Sequence, residues 1–178
     1  MSTIRVKRMV TAAMCMALGL VLPFLTGQIP QIGKMLSPMH IPVFLCGFLC
    51  GAPYGLLVGF VTPPLRGALF GMPVLFPSGT VMAFELATYG AVSGYLYRRI
   101  GRRDFPTLYL VLIVSMVIGR LVWGLASLVV YGVQGNTFTW SLFLTGALFN
   151  ALPGIILHLL VIPALVHTLE RAGFGQNK

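Results

Sequence analysis

Acidic residues are nearly missing from this chain: three Asp and Glu in 178 positions, against twelve Lys and Arg, for a formal charge of +9. Charge of either sign is scarce, at 8% of residues, where an ordinary soluble domain carries about a quarter. Water would not solvate such a surface, which excludes a soluble enzyme and a disordered chain. Cysteine is limited to Cys15, Cys46 and Cys50, all inside apolar runs, so a disulfide-stapled secreted domain is excluded as well. Cys46 and Cys50 share a helix face, but no further ligands stand nearby, and they read as small packing residues rather than a metal site. No Gly-x-Ser-x-Gly, no His-Glu-x-x-His and no lysine in a phosphate-cradling glycine loop occurs. Two of the three carboxylates, Asp104 and Glu170, sit beside basic segments, and an ATPase cannot be built from what is left. The sequence assigns no catalytic residue, no cofactor and no metal.

What the chain does have is apolar length. Hydrophobic residues make up 57% of it, and the uncharged stretches 9–33, 35–65 and 121–169 run for 25, 31 and 49 residues. A bilayer-spanning helix needs roughly 20 apolar residues. The fold class is therefore all-α: a polytopic helical membrane protein, one transmembrane domain over residues 1–178. The basic residues gather in three groups, Arg5, Lys7 and Arg8, then Arg98, Arg99, Arg102 and Arg103, then Arg171 and Lys178. They read as cytoplasmic loops and ends under the positive-inside rule, not as a nucleic-acid surface. The basic start and apolar run resemble a signal peptide, but the run is long and lacks a small-x-small cleavage pattern, so a retained helix is expected.

Turn chemistry divides the chain into a first helix over 4–25, a Gly/Pro loop over 26–38, an apolar stretch over 39–70, a turn-rich connection over 71–78, and helices over 79–97, 107–132 and 140–171. The number of crossings depends on residues 39–70. A single crossing would put the arginine loop at 98–103 opposite the basic N-terminus. Splitting at Pro53 into short helices over 39–52 and 54–70 brings all three basic groups to one side. Six transmembrane helices, the second and third short and both termini cytoplasmic, is the consistent arrangement. Short pieces are tolerated where protein covers them or a cavity lies beside them. Gly47, Gly51, Gly55 and Gly59, and Ala13 and Ala17 on the first helix, give small-xxx-small spacings that let backbones approach, first of all inside the protein.

Ionisable groups inside a membrane are costly, so each is a candidate functional residue. The six-helix topology places Arg66, Glu85, Arg120 and Asn150 in the outer half of the bundle, with Tyr89 and Trp123 beside them; these six are the expected substrate-binding residues. Gln28, His40, Tyr131 and Trp140 offer further polar tips at similar levels, and His158 reads as a packed, hydrogen-bonded histidine. Glu85 is expected to neutralise one of the two arginines. The other then asks for an anion or a carbonyl-rich partner, which favours a solute carrying a carboxylate or several carbonyls. A neutral or cationic, nucleobase-like solute would lean on Glu85 and Asn150 instead.

The basic start with Ala12, Ala13 and Ala17, the segment SPMHIPVFLCGFLCGAPYGLLVGFVTPPLRGALFGMP and the segment MAFELATYGAVSGYLYRR resemble the substrate-binding S components of bacterial energy-coupling factor (ECF) transporters. Within that family the chain is similar to the broad vitamin-uptake group that includes folate and pantothenate types. The resemblance implies a six-helix protein of the bacterial plasma membrane that captures a micronutrient from outside and docks on a transmembrane coupling protein with two cytoplasmic ATPases. It maps an Ala-x-x-x-Ala docking motif onto Ala13 and Ala17, and pocket-capping loops onto residues 26–38, 71–78 and 133–139. A stand-alone secondary transporter driven by a proton or sodium gradient is the alternative.

Overall fold

Glycine and proline decide where the helices of this chain begin and end. In the computed structural model, which describes residues 3–26, 36–101, 104–133 and 151–174, α1 covers Thr3–Val21 and passes into a 3-10 turn over Leu22–Thr26. Pro23 has no N–H for the α-helical ladder, so the end of the expected first helix tightens. α2 (His40–Cys50) and α3 (Ala52–Phe70) are parted by Gly51 alone, at φ 96° and ψ 173°. That backbone region is essentially closed to residues with a Cβ. Pro53 lies in the first turn of α3, where a missing N–H costs no bond. The split expected at Pro53 is thus real, but Gly51 makes it.

α3 ends at Gly71, whose φ of 74° is left-handed, and the irregular connection closes in a π-turn over Leu75–Gly79. α4 (Thr80–Ile100) outlasts the expected span of 79–97, because Arg98 and Arg99 are welcome in its last turn, beside the negative end of the helix dipole. α5 covers Phe105–Val133 and α6 covers Leu152–Arg171. Residues 140–150 of the expected sixth helix lie outside the described residues, as do 27–35 and 134–139 of the expected loops. Among the described residues all regular structure is helical.

α2 is the centre of the molecule. It packs against α1, α3, α4 and α6, and ten of its eleven residues are buried. At about 16 Å it is too short to cross a bilayer unaided, and the covering helices are what make it tenable. The glycine series works as internal packing. A methyl group on Gly55 would strike the carbonyl of Gly90, one on Gly59 the carbonyl of Leu86, and one on Gly47 the Ser93 hydroxyl. Gly47 on α2 and Gly55 and Gly59 on α3 therefore all receive α4, although the helix break at Gly51 separates them.

The outward surface is apolar. On α5, Ile113, Val117, Leu121, Leu125 and Leu128 are all exposed at helical spacing, the pattern of a face turned to lipid. Among the described residues three segments have both the length and the apolarity to cross a membrane: Ile4–Leu25, Phe105–Val133 and Leu152–Arg171. α3 and α4 have comparable length, at 19 and 21 residues, but carry prolines, glycines and buried charge.

Contacts at the two ends fix the helix directions. At one end the Lys7 ammonium donates to the Gly173 carbonyl at 2.6 Å, Tyr97 donates to Glu170 at 3.0 Å, and the Phe105 and His167 rings lie 4.6 Å apart. At the other, Phe24 beyond α1 meets Phe70 at the end of α3, edge to face at 5.0 Å. Successive helices alternate in direction, and Lys7, Arg98, Arg99 and Arg171 come to the same end. Gly90→Val should lower the thermal midpoint of the detergent-solubilised protein by the equivalent of about 1–3 kcal/mol. Gly132→Val, where nothing lies within 4 Å of the added carbon, should leave that midpoint unchanged.

Candidate functional site

Glu85 enters α4 about one and a half turns from its start, at the end of the bundle away from the basic residues. It is 3% exposed, and a carboxylate so buried must be paired and hydrogen-bonded. α5 supplies the cation: Arg120 Nη1 stands 2.9 Å from Glu85 Oε1. Tyr89, one turn along α4, donates its hydroxyl to the same oxygen at 2.8 Å. The Tyr89 ring fits because residue 119, next to Arg120, is glycine; any side chain there would collide with it.

Two histidines roof this pair. His40 opens α2, with Nε2 3.8 Å from Glu85 Oε1. Its ring stacks on that of His158 from α6 at 5.5 Å and tilts against Tyr89 at 5.3 Å. Phe44 lies parallel to Tyr89 at 4.9 Å. His158 Nε2–H donates to the Ser37 carbonyl at 3.3 Å, as expected of a packed histidine. His40 is 2% exposed, and neither ring nitrogen has a hydrogen-bond partner among the described residues. The cluster thus combines a carboxylate, a guanidinium with donors to spare, an unsatisfied imidazole and three aromatic faces, contributed by α2, α4, α5 and α6. Such a set suits a small polar solute with both donors and acceptors.

Arg66 does not join it. Its Nε donates to the Leu20 carbonyl at 3.3 Å and its Nη1 to the Met72 carbonyl, and its guanidinium lies 5.5 Å and 5.9 Å from the Phe24 and Phe70 ring centres. It ties the end of α1 to the connection after α3. The carbonyl-rich partner expected for a spare arginine is the protein's own backbone. Trp123 is half-buried on α5 one turn beyond Arg120. Asn150, Gln28 and Trp140 lie outside the described residues. The three cysteines are buried and free, and among the described residues no group of His, Cys, Asp or Glu is arranged to hold a metal.

Ala13 and Ala17 are both exposed, along the same face of α1 as Val10, Met14 and Val21. Internal packing on that helix is carried instead by Ala12, Cys15 and Gly19. The family model for the ECF transporter substrate-specific component matches residues 7–166. The chain belongs to that family. Neither the curated proteins nor the solved structures contain a match to it. As a substrate-specific component it is a membrane-embedded transport subunit, and among the described residues the buried charge cluster joins polar groups from four helices.

Sequence reasoning reached Glu85 and Arg120 through the cost of burying charge, and Tyr89 as a polar tip at the same level. It left His40 among secondary polar tips, since the contact with His158 joins positions that only the folded bundle brings together. Arg120→Leu should destabilise the S component by about 3 kcal/mol in denaturation, because the Glu85 charge is left buried alone. Adding Glu85→Leu in the same chain should restore most of the loss.

Proposed function

We propose that this S component captures a vitamin or related micronutrient at the Glu85–Arg120 cluster and delivers it through an ATP-driven importer. The observation that carries the reading is a charged, aromatic-walled cluster buried at the end of the bundle remote from the basic residues. With the basic end cytoplasmic by the positive-inside rule, all six helices cross the membrane, both termini are inside and the cluster faces the outer side. The membrane in this reading is a bacterial plasma membrane, and the buried cluster lies nearer its outer side.

The ligand reading is narrower than the sequence alone suggested. Arg66 is occupied by carbonyls and ring faces, so it adds nothing to an anion site. Arg120 is the cation to consider, since its side chain is 20% exposed and it reaches Glu85 through one nitrogen. A pantothenate- or folate-like vitamin, with a carboxylate and several amide or hydroxyl groups, would share Arg120 with Glu85 and give His40 the partner it lacks. Tyr89 would hold Glu85 in place meanwhile, and Trp123 and Asn150 complete the proposed lining.

Energy would come from partner subunits. The exposed Ala13 and Ala17 present a flat lane on α1 where a coupling protein's helix can approach closely, and two ATPases would complete the complex. No cofactor is required of this chain. Mass spectrometry of small molecules released from the purified protein should find a stoichiometric vitamin-like compound, and Arg120→Ala should abolish its retention. Retention undiminished in Arg120→Ala and Glu85→Ala would place the site elsewhere. Ala13→Leu with Ala17→Leu should end co-purification with the coupling protein and ATPases while the ligand is still retained. Uptake that survives without those subunits and collapses with the proton or sodium gradient would refute the ATP-driven reading.

A further inference from the structure

The turn that opens α2 is built on a strained residue. Ser37 has a φ of 45°, in the left-handed region that residues with a side chain seldom adopt. Such strain collects at ligand sites, where the surrounding structure holds a group in one position. The Ser37 carbonyl accepts the His40 backbone N–H at 3.0 Å and His158 Nε2–H at 3.3 Å, so one turn sets both rings of the stacked pair. His158 is satisfied through that bond. His40 is not: it is 2% exposed, and among the described residues neither Nδ1 nor Nε2 has a hydrogen-bond partner. By contrast, the buried hydroxyls of Thr62 and Ser115 turn back onto the Val58 and Val111 carbonyls at 2.6 Å and 2.7 Å. Packing alone does not account for a histidine at position 40, because an apolar ring would fill the space without leaving buried nitrogens bare.

The charges around His40 fix which nitrogen carries the proton. Nε2 lies 3.8 Å from Glu85 Oε1, an oxygen that already accepts from Arg120 Nη1 at 2.9 Å and from the Tyr89 hydroxyl at 2.8 Å. A bare lone pair on Nε2 would face that carboxylate and be repelled, whereas Nε2–H is attracted. Nδ1 is then the bare acceptor, and the ring directs its lone pair away from Glu85. We propose that His40 is a specificity-determining residue of the substrate site, its Nδ1 accepting an O–H or N–H of the solute whose carboxylate Arg120 binds. The solute class narrows to acids that also carry a hydroxyl or N–H donor. Acids without one are rejected, because they would leave Nδ1 buried and bare. The inference rests on capture at the Glu85–Arg120 cluster and adds a requirement to it.

The test uses the detergent-solubilised full chain, stripped of bound solutes and equilibrated with an equimolar mixture of pantothenate, folate, nicotinate and lipoate. Mass spectrometry reads the retained compounds. The first two acids carry hydroxyl or N–H donors; the last two carry none. The wild type should retain pantothenate or folate and neither of the others. His40→Phe, which keeps a ring and removes both nitrogens, should cut that retention about tenfold or more, while the thermal midpoint of the ligand-free protein stays level or rises. His40→Asn, whose Oδ1 takes the place of Nδ1, should keep most of the retention. His40→Gln, whose amide takes the place of Nε2, should not. Retention of nicotinate or lipoate, full retention in His40→Phe, or rescue by His40→Gln in place of His40→Asn would overturn the proposal. So would a lower ligand-free midpoint in His40→Phe, which would make His40 a packing residue. Loss of retention in Arg120→Ala with none in His40→Phe removes this inference alone, whereas retention indifferent to both removes the capture site as well. A wild type retaining none of the four would overturn the acid class and this inference with it.

Discussion

Two helix backbones touch only where neither interposes a side chain, and α3 meets α4 in this way at Gly55 against Gly90 and at Gly59 against Leu86. Inside a bilayer no hydrophobic force draws helices together, so close backbone approach is a main source of cohesion. The contact also sets the rotation of α4 about its axis. With Leu86 and Gly90 turned onto α3, the neighbouring positions Glu85 and Tyr89 turn toward α5 and the start of α2. The carboxylate reaches Arg120 and lies beneath His40 because the glycines hold the helix that carries it.

The two arginines within the bundle illustrate how one side chain meets different demands. Arg120 faces a full negative charge, and pairing neutralises both groups where an unpaired ion would be prohibitive. Arg66 stands where helices end. The last carbonyls of α1 and those of the connection after α3 have no intrahelical donors, and a guanidinium with five N–H groups can serve several of them. Its position beside the paired Phe24 and Phe70 rings adds attraction from both. One arginine therefore belongs to a charge cluster and the other to the architecture of the chain ends around it.

The sequence made the class, the helix number and the heart of the cluster legible, because each follows from a strong local cost. Unsolvated apolar length implies a membrane, and a carboxylate within it implies a partner. The charge asymmetry also required residues 39–70 to fold as two helices, and the end-to-end contacts agree. What stayed hidden depended on tertiary choice. Proline was the visible breaker at position 53, yet a proline near a helix start is benign, and the reversal needed the positive φ that Gly51 provides. Whether Glu85 would take Arg66 or Arg120 turned on the irregular carbonyls around Met72, which no spacing rule reveals. The outward placement of Ala13 and Ala17, against the inward Ala12 and Cys15, likewise follows from which side of α1 receives α2.

Between the polar cluster at one end and the basic residues at the other, the bundle is filled. Val43, Phe44, Phe48, Leu112 and Ile162 are all fully buried, and α2 occupies the axis with only one residue of eleven less than buried. Among the described residues no polar path joins the two ends. A solute captured at the proposed site would then reach the opposite side only if helices separate or if the bundle reorients as a body. Separation would pull α4 away from α3 and uncover carbonyls and glycine backbone that side chains cannot re-cover in lipid. Reorientation keeps those contacts and exposes to lipid the same apolar faces as before. The glycine packing that positions the cluster would thus also favour moving the subunit whole over opening a channel through it.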